Sequence, residues 1–154
     1  MTGKKHFAIV DIETTGGMVK RDKMTEIAIV ISDGERILDE YSSLINPGRS
    51  IPPFITGITG ITDEMVADAP FFHEVAKDIV EWTDGQIFVA HNVRFDYGFL
   101  RSEFADLGFA FNRRRMCTVQ MAKRLLQLPS HSLGNLIKHY GIQVSARHRA
   151  LDDA

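Results

Sequence analysis

The chain has 154 residues, the size of one domain, and its 44% hydrophobic and 25% charged residues are ordinary for a globular protein. No apolar stretch is long enough to cross a membrane, and the first residues lack the apolar segment of a signal peptide, so we expect a cytoplasmic protein. The formal net charge of −2 leaves nucleic acid open as a partner, because local clustering of charge decides such binding.

The first half of the chain predicts an antiparallel start to a sheet. Apolar runs predict three strands, at residues 7–10, 25–32 and 36–46. Polar and apolar residues do not alternate along the first run, which indicates a strand covered on both faces. Asp33 and Gly34 lie between the second and third strands as a hairpin turn. Residues 46–65 are rich in Pro, Gly and Thr and predict a loop, with Thr62 or Asp63 capping a short helix.

The second half predicts helices that alternate with strands. Helical spacing of apolar residues predicts helices at 71–83, 95–108 and 132–141, with a buried strand at 86–92. Residues 116–128 begin as a strand and continue as a helix. Strands first, then alternating helices and strands, indicate an α/β or α+β domain with a mixed sheet.

Two carboxylates, Asp11 and Glu13, follow the first apolar run. Side chains two positions apart on a strand share a face, so these two anions lie close together and disfavour each other's ionisation. Sharing a proton or holding a divalent cation would relieve the repulsion. The alternative is that both are turn and cap residues, with Thr14 and Thr15 capping a helix.

Two further carboxylates fall at junctions where ligands commonly bind. Asp96 lies where a predicted strand gives way to a helix, and Asp153 lies near the end of the chain with His148 five residues earlier. Four carboxylates and one imidazole on a loop are what phosphodiester hydrolysis with two metal ions needs. The neighbouring Asp152 is the less favoured candidate for the last carboxylate.

Three stretches carry a family resemblance. The sequences DIETTG (11–16), HNVRFD (91–96) and HRALDD (148–153) resemble, in order, the three motifs of the DEDDh exonucleases. Residues 57–70 further resemble the branch that proofreads for bacterial replicative DNA polymerases. The resemblance implies a ribonuclease H-like fold with a mixed five-stranded sheet flanked by helices, formed by residues 1–154 as one exonuclease domain.

The resemblance also implies the chemistry. The metal ligands would be Asp11, Glu13, Asp96 and Asp153, holding two divalent cations, Mg²⁺ or Mn²⁺, and His148 would be the general base. The activity would be 3'-5' exonucleolytic release of nucleoside monophosphates from nucleic acid with a free 3' end, with single-stranded DNA favoured over RNA. A 3'-5' exoribonuclease and a non-catalytic module that binds nucleic acid or a polymerase remain as alternatives.

Substrate contacts are expected from the two N-terminal motifs. The candidate binding residues are Thr14, Thr15, Gly16, Met18, Asn92 and Phe95. After Gly16 the family usually has a large apolar residue that wedges against the terminal base, whereas this chain has Gly17 followed by Met18. The run Arg113 to Arg115 either tracks a phosphate backbone or is a solvated charged face.

The last motif lies at the end of the sequence, where family members continue with a helix. We therefore expect that this domain lacks its C-terminal helix and that the chain is a fragment, or the ordered part, of a longer protein. A polymerase or a further C-terminal domain is an expected partner, and a membrane is not.

Overall fold

A computed structural model describes residues 5–145 and 148–154 and contains one mixed sheet of five strands in the order β3-β2-β1-β4-β5. The strands are β1 Phe7–Thr14, β2 Met24–Ser32, β3 Ile37–Leu44, β4 Ile87–Ala90 and β5 Arg114–Cys117. Strand β2 pairs antiparallel with β1 and β3, whereas β4 pairs parallel with β1 and β5. The predicted mixed five-stranded sheet is therefore confirmed.

Seven helices are described, and they connect or cover the strands. They are α1 Pro53–Thr59, α2 Asp63–Ala67, α3 Phe72–Thr83, α4 Val93–Asp106, α5 Thr118–Leu125, α6 Leu133–Tyr140 and α7 Ala150–Asp153. One hydrophobic core joins buried side chains of β1, β2, α3, β4 and α4. Within residues 5–145 and 148–154, none of the helices is long and apolar enough to cross a bilayer.

Two local predictions differ from the structure. Strand β1 is not covered equally on both faces: Ala8, Val10 and Ile12 are buried, whereas the residues between them are half-buried. The strand also runs through Asp11 and Glu13 to Thr14, so the two carboxylates lie within β1, on its half-buried face. They share that face because strand side chains alternate with a period of two.

Part of the predicted loop 46–65 is helical. Helix α1 begins with Pro in its first turn, where a missing N–H is harmless, and is followed by its C-cap Gly60 in the left-handed conformation, with φ of 74°. Thr62 caps α2 as predicted, since its side chain accepts a hydrogen bond from the backbone N–H of Met65 at 3.2 Å. The Pro and Gly residues of this stretch therefore delimit a helix.

Candidate active site

Three carboxylates from opposite ends of the chain meet beside β1. Asp11 and Glu13 project from the half-buried face of β1, and Asp153 reaches them from α7, which contacts β1 and β2. Each residue offers one carboxylate oxygen, and these oxygens all lie within 4.8 Å of one another. Carboxylate oxygens are the hard ligands that Mg²⁺ and Mn²⁺ prefer, so the donor set fits a divalent cation.

The fourth predicted carboxylate, Asp96, lies in the first turn of α4 and is 3% exposed. Its Oδ1 accepts a hydrogen bond from the backbone N–H of Ile12 at 3.1 Å, which fixes α4 against the residue between Asp11 and Glu13. Among the described residues, Asp96 is outside the trio held within 4.8 Å. Its charge nevertheless raises the pKa of Asp11 and Glu13, so it belongs to the same electrostatic cluster.

Burial and mutual repulsion hold protons on this cluster in the absence of a cation. Burial, reinforced by the charges of Asp96, Glu13 and Asp153, raises the pKa of Asp11 to about 9. Burial, reinforced first by Asp153, raises the pKa of Glu13 to about 8. Burial raises the pKa of Asp96 to about 7 against the opposing effect of its backbone hydrogen bonds. Such a concentration of carboxylates favours protons or cations near neutral pH.

The last motif places its histidine next to Asp153. The backbone N–H of His148 donates to Asp153 Oδ2 at 2.9 Å, and His148 is exposed, with a left-handed backbone at φ of 59°. The neighbouring Asp152 points elsewhere, since both of its carboxylate oxygens accept from the Ser145 hydroxyl at 3.1 Å. The structure thus brings Asp153, and not Asp152, into the carboxylate group.

Thr14 is the last residue of β1 and Thr15 begins a loop and not a helix, so the alternative of helix caps is wrong for both threonines. Both threonines are buried, and their hydroxyls bond within the loop region: Thr14 Oγ1 donates to Gly16 O at 2.6 Å, and Thr15 Oγ1 accepts from Lys23 N at 3.0 Å. Neither threonine side chain therefore presents a large exposed surface.

Asp22 supports the tip of this loop. Its Oδ2 accepts from the backbone N–H of Met18 at 2.8 Å, and a Cβ added to Gly16 would lie 2.5 Å from the same oxygen. A side chain at position 16 would therefore displace the Asp22 carboxylate from its bond to the Met18 backbone. Gly17 has nothing within 4 Å of an added Cβ, and the Met18 side chain is 56% exposed.

The residues before Asp96 have mixed environments. Asn92 is exposed and lies at the start of α4 with φ of 66°. Phe95 is half-buried and contacts Phe99, with ring centroids 5.0 Å apart. The His91 ring contacts the Thr118 hydroxyl and the His131 carbonyl oxygen, each at 2.9 Å, which joins the end of β4 to later segments.

The arginine run lies away from the carboxylates. Arg114 is in register with Ile87 and, through it, with Phe7 at the start of β1, four residues before Asp11. The Arg113 guanidinium lies 4.7 Å from the centroid of the Phe111 ring. This placement favours the alternative of a packed, partly solvated face. It disfavours contact of these arginines with a substrate phosphate bound at the carboxylate group.

Sequence reasoning missed one acidic residue beside the cluster. Glu26 on β2 is 5% exposed, pairs in register with Glu13, and binds Arg149 of the last motif at 2.9 Å. The sequence signal that could have found Glu26 is that it is the one charged residue in the mainly apolar strand predicted at residues 25–32. Such a group is almost always paired.

Comparison with known proteins identifies relatives over nearly the whole chain. The family model RNase T, described as an exonuclease, matches residues 8–154. The 3'-5' exonuclease DinG of Staphylococcus saprophyticus is 37% identical over 153 residues, which make up 98% of this chain and 17% of that protein. The PolC-type DNA polymerase III of Thermotoga maritima is 39% identical over 153 residues, 99% of this chain and 11% of that protein. The chain thus spans less than a fifth of the length of these relatives.

Solved structures agree with this assignment. Exonuclease X in complex with 5' overhanging duplex DNA superposes with a TM-score of 0.78 and 31% identity, over 96% of this chain and 83% of that one. Exonuclease I superposes with a TM-score of 0.87 over 97% of this chain and 38% of that one, and at 22% identity this likeness confirms the ribonuclease H-like fold. Because the family model covers all three motifs, the chain belongs to the RNase T exonuclease family.

Proposed function

We propose that this chain is a metal-dependent 3'-5' exonuclease that releases nucleoside monophosphates from the 3' end of single-stranded DNA. The observation that carries the proposal is the meeting of Asp11, Glu13 and Asp153 within 4.8 Å, from two of the three family motifs. The third motif supports it, because Asp96 is buried against the same strand through Ile12. Relatives that carry the names 3'-5' exonuclease and DNA polymerase III support the direction and the nucleic acid.

The cofactor in this proposal is a pair of Mg²⁺ or Mn²⁺ ions held by Asp11, Glu13, Asp96 and Asp153. Divalent cations at such a site neutralise charge that develops on a phosphodiester as it is hydrolysed. The carboxylates of this chain supply only hard oxygen ligands, which suits both ions. Asp96 contributes in a second way, since its bond to Ile12 holds the start of α4 beside β1.

His148 is the general base in the proposal. His148 is exposed and its backbone N–H donates to Asp153, so its backbone is held beside the carboxylate group while its side chain is open to solvent. An imidazole can accept a proton from an attacking water near neutral pH. Hydrolysis then releases the terminal nucleotide with its 5' phosphate.

The substrate lies along the loop from Thr14 to Met18 in this proposal. The exposed Met18 side chain is the apolar group nearest the expected wedge position, and Asp22 fixes its backbone. Asn92, exposed at the start of α4, supplies a polar contact, and the half-buried Phe95 offers a ring edge. Thr15, only 2% exposed, contributes by shaping the loop.

The preference for DNA, a cytoplasmic location and a polymerase or further domain as partner are parts of the same proposal. One relative is a PolC-type DNA polymerase, and the exonuclease X structure contains duplex DNA. A nuclease domain joined to a longer protein is consistent with the small share of each relative that this chain covers.

Digestion of end-labelled oligonucleotides tests the proposal. DNA and RNA of one sequence, labelled at the 5' end, are incubated with Mg²⁺, Mn²⁺ or a chelator, beside the matched variant Asp11→Asn. We expect a ladder that shortens from the 3' end, free mononucleotides, faster loss of DNA, and no reaction with the chelator or the variant. Faster loss of RNA would identify an exoribonuclease. Binding of 3' ends without release of nucleotides would reject the enzyme and leave a binding module.

A further inference from the structure

Both carboxylate oxygens of Glu26 accept hydrogen bonds from residues of the last motif. Its Oε1 accepts from Arg149 Nη2 at 2.9 Å, and its Oε2 accepts from Arg149 Nε at 3.2 Å. The same Oε2 accepts from the backbone N–H of Ala150 at 3.0 Å. A carboxylate that receives two guanidinium bonds in parallel has a fixed orientation, and the third bond fixes the main chain as well.

The segment bound by Glu26 is not stable by itself. Helix α7 has four residues, and one turn of helix is unstable without contacts to the rest of a protein. In the described part of the chain, α7 is attached to the sheet through Ala150, which is fully buried, and through the bonds to Glu26. Glu26 lies on β2, the strand whose residues are all buried, so the attachment point is rigid.

Arg149 and Ala150, which Glu26 binds, lie in the chain between the proposed base His148 and the proposed metal ligand Asp153. Arg149 directly follows His148, and Ala150 begins the turn that ends with Asp153. Within this turn the backbone N–H of Asp153 donates to the Arg149 carbonyl oxygen at 3.1 Å. Moving Arg149 off β2 would therefore move His148 and Asp153 together away from Asp11 and Glu13.

We propose that Glu26 is a positioning residue, whose carboxylate docks Arg149 and Ala150 on β2 and thereby places Asp153 and His148 beside the carboxylates of β1. This role rests on the proposed function for its effect on catalysis, but the docking itself is independent of it. In register, Glu26 faces Glu13 across the β1–β2 pair, so the dock and the cation ligands share one pair of strands. The ion pair with Arg149 neutralises the Glu26 carboxylate, so Glu26 does not compete with Glu13 for a cation.

The test compares Glu26→Gln with Arg149→Gln, their double variant, and the control Glu40→Gln. The control changes an exposed glutamate on strand β3 of the same sheet. Glutamine has nearly the shape of glutamate but lacks the negative charge that binds the guanidinium and strengthens the bond from the Ala150 N–H, so both bonds should weaken with little change in packing. Substitution of a residue that orients a metal ligand typically lowers cation affinity or activity by about 10- to 100-fold. We expect losses of that size in kcat and in apparent Mn²⁺ affinity, with KM changed less than about threefold and partial rescue by excess Mn²⁺.

Two readouts separate docking from catalysis. Hydrogen exchange of the Ala150 amide should be at least about tenfold faster in each single variant, and the double variant should lose no more than the stronger single one, because both changes break one pair. Unchanged exchange at Ala150, or additive losses of kcat, would overturn the proposal. If the wild-type chain releases no nucleotides, the proposed function fails while the exchange result still decides the docking. Should Glu26→Gln not fold, Arg149→Gln, changed at the partly exposed partner, gives the same comparison.

Discussion

Ionisation of the buried Asp96 carboxylate should measurably lower the free energy of unfolding of the protein. Its pKa is raised by burial from 3.8 to about 7, and a tenfold change in proton affinity is worth about 1.4 kcal/mol, so the ionised form destabilises the fold by roughly 4 kcal/mol. The substitution Asp96→Asn removes this charge and keeps an oxygen for the N–H of Ile12. We expect the variant to lose nuclease activity and to gain stability.

The pH dependence of that gain follows from the direction of the shift. Between pH 4 and about 7 the folded state keeps the Asp96 proton that the unfolded state has lost, so the wild-type free energy of unfolding falls as the pH rises through this window. Above pH 7 the cost is complete. The advantage of Asp96→Asn should therefore grow by roughly 2 to 3 kcal/mol from pH 5 to pH 8.5.

Urea denaturation in a chelator, at pH 5 and at pH 8.5, measures this difference. The control is Asp68→Asn, which changes an exposed carboxylate after α2 and should shift neither value. Because the comparison is between two pH values of the same variant, any fixed effect of the amide group cancels. An advantage that is the same at both pH values would refute the argument from burial, as would a variant that is less stable at pH 8.5.

Three further predictions concern the loop, the histidine and the whole cluster. Gly16→Ala should destabilise the fold by about 1 to 3 kcal/mol because its Cβ would lie 2.5 Å from Asp22, whereas Gly17→Ala, with open space, should be nearly neutral; equal melting temperatures for the two would contradict the packing. His148→Ala should lower kcat by about 10² to 10⁴ while Mn²⁺ affinity is kept, and an unchanged pH profile of the rate would remove the base role. Without a cation the melting temperature should fall from pH 6 to pH 9, since the raised pKa values of Asp11 and Glu13 mean that the folded state must lose protons there; saturating Mg²⁺ should flatten this slope, because the carboxylates are then ionised in both the folded and the unfolded state.

Much of the fold could be predicted because its signals are local. Strand β2 and helix α3 appear directly as an apolar run and as apolar residues at helical spacing. The loop prediction for residues 53–59 failed because Pro and Gly were interpreted as breakers, although Pro at a helix start and Gly at a helix end are both favourable. The unequal burial of β1 could not be predicted, since it depends on which helices cover each face of the sheet.

The candidate site divides in the same way. The shared face of Asp11 and Glu13 follows from the period of a strand, and the likeness of the three motifs to one family brings in Asp153. The role of Glu26 depends on the register of β1 with β2 and on a contact with Arg149, 123 residues away in the chain. Pairings over such distances follow from packing, and no local pattern in the sequence reports them.

The measurement that tests the central claim most directly is the rate of mononucleotide release in Mn²⁺ by Asp153→Asn and Asp152→Asn, side by side with the wild type. The two variants change neighbouring carboxylates of α7, of which only Asp153 lies within 4.8 Å of Asp11 and Glu13, while Asp152 contacts Ser145. We expect Asp152→Asn to release nucleotides at the wild-type rate and Asp153→Asn to be slower by at least about 100-fold. Equal rates for the two variants, or no release by the wild-type chain, would contradict a cation-dependent nuclease centre at this carboxylate group.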